Sequence, residues 1–127
     1  MVGDVPEDKY EAYAKILLPY FQDEKTVFVV SSDFCHWGRR FDFMHQFDDE
    51  PVIHKSIERL DKMGMDFIES QSFKGFTDYI EETQNTVCGR HPIQLLMALI
   101  EEAKKDGLGD FETKFVKYAQ SEPVTSK

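Results

Sequence analysis

The chain of 127 residues is 41% hydrophobic and 31% charged, which fits one domain of about 100 to 150 residues. Acidic residues outnumber basic ones 24 to 15, a formal charge of -9, so the basic stripe that neutralises phosphates is missing and nucleic acid is not expected as a partner. No apolar run approaches the roughly 18 to 20 residues of a membrane span, the acidic N-terminus lacks a secretory leader pattern, and two cysteines make no disulfide framework, which predicts a soluble cytoplasmic protein with the nucleus also open to it.

Taken in chain order, Tyr10, Tyr13, Ala14, Leu17, Leu18 and Phe21 fall on one stripe of a helix that starts near Pro6 and ends at Asp23-Glu24-Lys25. Thr26 to Ser31 is a continuous β-rich run of the kind covered on both faces. Gly38 to Glu50 has no sustained period and reads as a long loop. Val52, Ile53, Ile57, Leu60, Met63 and Phe67 form the next helical stripe, with a break or bend expected at Met63-Gly64-Met65 because glycine costs about 1 kcal/mol inside a helix. Ser72 or its neighbour caps a third helix bearing Phe73, Phe76, Tyr79 and Ile80. Pro92 suits the first turn of a fourth, with Ile93, Leu95, Leu96, Leu99 and Ile100 as its apolar positions. Gly107-Leu108-Gly109 breaks the chain, and Phe111 to Ala119 resembles a last strand. The pattern is α/β, yet two strands are too few for a run at 26–31 that needs a neighbour on each side, so the chain is expected either to meet its missing strands in another polypeptide or to self-associate.

Two short stretches collect chemistry. The first, Val27-Phe28-Val29-Val30-Ser31-Ser32-Asp33-Phe34-Cys35-His36-Trp37-Gly38, places a carboxylate, a thiol, an imidazole and an indole at the end of the buried run, where sites of α/β proteins commonly lie. The second, Asn85-Thr86-Val87-Cys88-Gly89-Arg90-His91-Pro92, sits at a helix start. The two are expected to meet. A thiol at Cys88, just before the helix, faces its partial positive charge, which suits a ligand or redox centre; the plainer alternative is a small buried hydrophobe. An imidazole is the usual side chain for proton transfer near neutral pH, and Asp33 is near enough in sequence to orient that of His36; the alternative is a histidine that ties the loop to the core. Cys35 and Trp37 read as packing or pocket wall. His91 more often pins a helix start than ligates, and His45 and His54 read as solvated.

Ser31-Ser32-Asp33-Phe34-Cys35-His36-Trp37-Gly38, then Ser56-Ile57-Glu58-Arg59-Leu60-Asp61-Lys62-Met63-Gly64-Met65, then Asn85 to Ile93, then Tyr118-Ala119-Gln120-Ser121 occur in the order and spacing of the Memo family. This is the family of the mediator of ErbB-receptor-driven cell motility, whose fold is similar to that of the class III extradiol (LigB-type) dioxygenases. The resemblance covers about Val2 to Ser121. It implies the C-terminal half of a LigB/Memo-like α/β domain over residues 1–121, a mixed sheet flanked by helices, apparently truncated, followed by a disordered tail at 122–127. It further implies a metal pocket holding iron or copper, with Cys88 as one ligand and two histidines from an absent N-terminal half. His36 and Asp33 then stand as acid/base-like residues, and Cys35, Trp37, Arg90 and His91 as pocket residues.

Two functional classes and a remnant follow from the resemblance. The first is a non-catalytic signalling or cell-motility protein whose vestigial pocket takes a phosphopeptide, such as a receptor tail, or a redox-active metal ion. The second is an extradiol-type metal-dependent oxidoreductase, against which a thiolate in the carboxylate's place argues chemically. The third is an inactive truncated fragment.

Overall fold

A computed structural model describes residues 3–126. After a short 3-10 turn at Glu7–Lys9, four helices follow: α1 (Tyr10–Phe21), α2 (Ile53–Glu69), α3 (Phe73–Thr83) and α4 (Arg90–Lys105). A second 3-10 turn, Arg39–Phe41, interrupts the loop between α1 and α2. Among the described residues no β-strand forms; a lone antiparallel bridge joins Gly38 to Phe43.

The absence of a sheet corrects the α/β expectation, and with it the mixed sheet of a LigB-type domain. Thr26 to Ser31 and Phe111 to Ala119 are extended, but extended backbone becomes a strand only when a neighbour accepts its N–H groups and donates to its carbonyls. Neither run has one. The aromatic contacts show the two running side by side in the same direction: Phe28 meets Phe21 edge to face and Phe111 meets it tilted at one end, and Phe34 meets Phe115 at the other with ring centroids 6.0 Å apart. No backbone bond joins them, and an apolar groove lies between, walled by Val30, Phe34, Thr113 and Phe115 and floored by Leu96 and Met97 of α4.

The helical period was legible, and its stripes bury as their spacing requires. α1 packs along α4, where Tyr10 and Ala14 meet Leu95, Ala98 and Leu99 in one cluster. Tyr13, placed on the same stripe by spacing, is instead 40% exposed. α2, α3 and α4 enclose the second cluster, built on Leu60, Phe76, Tyr79, Val87, Ile93 and Met97.

The expected break at Gly64 does not occur, since α2 runs uninterrupted from Ile53 to Glu69. Its glycine answers to packing: a Cβ there would stand 2.7 Å from Cε1 of Tyr79. The ring lies against bare backbone. From that position the Tyr79 hydroxyl donates to the Leu60 carbonyl at 2.9 Å, which locks α3 to α2. α2 ends in a Schellman turn, with Ser72 N–H bonded to Phe67 O, Gln71 N–H bonded to Ile68 O, and Gln71 in the left-handed region at φ 55°. Ser72 then caps α3 as expected, its Oγ accepting from Gly75 N–H at 3.1 Å.

The loop at 38–50 is more fastened than its sequence suggests. Trp37 Nε1 donates to His45 O at 2.9 Å, Phe47 N–H donates to Ser56 Oγ at 3.0 Å, and the Arg59 guanidinium covers the Phe47 ring at 4.0 Å while pairing with Asp49. His45 and His54 are part-buried, not solvated.

Candidate functional site

The two chemistry-bearing stretches meet. Asp33 and Cys88 exchange backbone contacts, Cys88 N–H donating to Asp33 O at 3.2 Å and Asp33 N–H donating to Cys88 Sγ at 3.1 Å. Gly89 N–H donates to Ser32 Oγ at 2.9 Å, and the approach is so close that a Cβ on Gly89 would stand 2.4 Å from the Ser32 Cβ. Glycine is therefore required here by the neighbouring segment, at the N-cap just before α4.

His36 is held by the same junction. Its backbone N–H donates to Thr86 Oγ1 at 2.6 Å, and its Nδ1 sits 2.9 Å from the Thr86 carbonyl. A carbonyl only accepts, so Nδ1 carries the hydrogen and Nε2 is the nitrogen turned toward Asp33, 4.0 Å from Oδ2. The Asp33 side chain is 87% exposed, so this pair faces water.

Below it lies a buried carboxylate that spacing alone did not single out. Asp61 of α2 is 4% exposed and accepts three hydrogen bonds: Cys35 N–H and Asn85 Nδ2 at 3.1 Å on Oδ1, and the Tyr118 hydroxyl at 2.9 Å on Oδ2. Burial pushes its pKa above the ordinary carboxylate value, and the donors from Asn85, Tyr118 and Cys35 pull it back only in part. One residue thus ties together α2, the run after residue 32, the segment before α4 and the C-terminal segment. Asp61 follows Ile57 and Leu60 and precedes Gly64 on the buried stripe, and a charge on that stripe is the signal that could have found it.

These groups line an open cavity of about 660 Å³ whose wall includes Asp33, Cys35, His36, Trp37, Phe41, Asp61, Lys117 and Tyr118. Burial, reinforced by the nearby Asp61 charge, pushes the Cys35 thiol up to about 12, so it enters the wall as a neutral thiol. Burial likewise raises the Tyr118 hydroxyl, which stays protonated and donates to Asp61.

The other expected site residues lie elsewhere. Cys88 is exposed beside Asp33 and does not line the cavity. His91 faces α1: Nδ1 meets the Tyr10 hydroxyl at 2.7 Å and Nε2 lies 3.0 Å from the Asp4 carboxylate, so it pins the N-terminal segment to α4. Arg90 reaches the same Asp4 at 4.0 Å. Among the described residues no three His, Cys, Asp or Glu side chains gather as a metal site. Among the described residues the Cys88 sulfur meets the Asp33 amide N–H at 3.1 Å and the Ser32 hydroxyl at 3.9 Å, so these residues form no metal pocket of their own, and the sheet that would frame an extradiol-type site is not formed by them. No helix among the described residues is long and apolar enough to cross a membrane.

Comparison with known proteins places this geometry in a lineage. The family model described as Memo-like protein matches residues 1–127. Mouse Protein MEMO1 is 42% identical over 126 residues, covering 99% of this chain and 42% of the mouse protein. The human Protein MEMO1 is 43% identical over 121 residues, 95% of this chain and 40% of its own length, and the Caenorhabditis elegans Protein memo-1 homolog is 38% identical over 127 residues, 99% of this chain and 36% of its own. The chain therefore spans about two fifths of the length of the curated relatives it matches. The expected mixed sheet of a LigB-type domain is corrected by the absence of a sheet among the described residues, while the family match covers residues 1–127. The chain belongs to the Memo family.

Proposed function

We propose that this chain is a non-catalytic binding protein of signalling context that receives a phosphorylated peptide segment in the open cavity beside His36. The observation that carries the reading is the composition of the cavity lining. Trp37 and Phe41 offer flat apolar surface, while His36 and the Lys117 ammonium are the basic groups among the lining residues. An aromatic phosphorylated side chain needs those two things together, a ring to stack on and a cation for the phosphate. The volume of about 660 Å³ admits such a side chain with its flanking backbone. Acidic Asp33, Asp61 and Glu122 at the same cavity oppose a second negative group, so the reading favours a singly phosphorylated peptide of otherwise neutral or basic sequence.

Trp37 is the only tryptophan, and its fluorescence reports on this wall alone. Titration with a phosphotyrosine peptide is expected to change that signal saturably, while the unphosphorylated peptide leaves it unchanged. Lys117→Ala is expected to weaken binding roughly tenfold, the scale of one charge-assisted contact. Equal response to both peptides, or indifference to Lys117→Ala, would refute the reading.

A further inference from the structure

Asp61 stands between the two basic groups of the cavity. Each of its oxygens is held by the sequence neighbour of one of them: Oδ1 accepts from the N–H of Cys35, next to His36, and Oδ2 accepts from the hydroxyl of Tyr118, next to Lys117. The carboxyl lines the same cavity as His36 and Lys117, although the residue is almost wholly buried. That burial comes from segments of this chain, so any further protein laid over the cavity would only deepen it.

A buried carboxylate at this place opposes an incoming anion. Of the groups packed around it, the Cys35 thiol and the Tyr79 and Tyr118 hydroxyls are raised by burial and stay neutral, and Asn85 from the segment before α4 carries no charge. His36 acts on it from the run after residue 32, Lys117 from the C-terminal segment, and Glu58 lies on its own helix. The exposed Asp33 carboxylate faces His36 from the water side. We propose that Asp61 is a specificity-determining residue of the cavity, whose buried charge discriminates against a doubly charged phosphate ester and admits it only together with a proton. The inference rests on the phosphopeptide reading above. Burial already lifts this carboxyl above its ordinary range, and a second negative charge beside it lifts it further. Binding therefore takes up a proton from solvent and tightens as pH falls.

Two peptides of one sequence test this, one bearing phosphotyrosine and one sulfotyrosine. The phosphate ester carries a charge of about -1.5 to -2 near neutrality, whereas the sulfate ester carries a single fixed charge. Asp61→Asn, which keeps the shape, is expected to tighten the phosphotyrosine peptide roughly tenfold near neutral pH and the sulfotyrosine peptide roughly threefold, since half the charge gives half the free energy. Calorimetry in buffers of different ionisation enthalpy should show less proton uptake in this variant than in the parent. Tyr118→Phe removes a donor to the carboxylate and is expected to move the pH profile of binding upward. A profile set by the His36 imidazole would move down instead, because neutralising Asp61 takes away its nearby anion. No saturable response to either peptide at any pH removes the phosphopeptide reading and this inference with it. Binding by the parent with no gain in Asp61→Asn, an equal gain for both esters, or a downward shift in Tyr118→Phe overturns this inference alone.

Discussion

Asp61 is the residue on which the cavity depends, and its two obvious substitutions separate charge from hydrogen bonding. Asp61→Ala leaves the Cys35 N–H and the Asn85 amide without their acceptor in a buried site, and is expected to cost about 2 to 4 kcal/mol in urea unfolding. Asp61→Asn keeps an acceptor for both and presents an N–H₂ to the Tyr118 oxygen, so it is expected to cost far less. The pH dependence has a definite sign. Folding raises the pKa of this carboxyl above its unfolded value, so the folded chain holds the proton more tightly. The contribution is complete below the unfolded value of 3.8 and is lost as pH rises through the folded one. Stability measured from about pH 4 upward should therefore fall in the parent relative to Asp61→Asn, and parallel curves would show that the carboxyl is not perturbed. None of this was visible as a motif, because a lone Asp in a helix ordinarily lies in water and only its place on the apolar stripe says otherwise.

At the level of elements, the helices were legible and the strands were not, for a physical reason. A helix closes its hydrogen bonds within itself, so the spacing of Ile53, Ile57 and Leu60 or of Ile93, Met97 and Ile100 is enough to predict it. A strand is completed by another segment, and the β-branched run at 26–31 carries no information about whether that segment is present. Gly64 marks the limit of propensity: glycine predicted a break or bend, and the helix runs through it uninterrupted with the Tyr79 ring packed on its backbone. Gly64→Ala should drive a methyl into the Tyr79 ring and cost about 1 to 3 kcal/mol, although alanine is the better helix former. A thermal midpoint that rises in this variant would mean that the ring moves aside freely. The junction of the two chemistry-bearing stretches was foreseen from composition, whereas the turning of His91 toward Tyr10 and away from the cavity was not, since sequence fixes a helix start but not which neighbour covers each of its sides.

For the molecule as a whole, membership of the Memo family and a helical framework around one open cavity are the firm results, and the peptide reading rests on the wall of that cavity. That wall has an asymmetry. Its helical side is α2, which closes its hydrogen bonds within itself, but the segment from Phe111 to Gln120 is attached through side chains: Gln71 Nε2 donates to Phe111 O and Thr113 Oγ1, Glu69 accepts from Phe115 N–H, and Tyr118 reaches Asp61. Amide exchange should accordingly be fast in this segment, slow in α2 and α4, and faster still after Gln71→Ala, while uniform protection would contradict the ordering. Gln71 holds a left-handed turn where glycine would sit more comfortably, and so spends backbone ease on a clasp. Exchange that residue for glycine and the helix end should relax while its side of the basin comes adrift, a gain in local comfort with a loss of the vessel's shape.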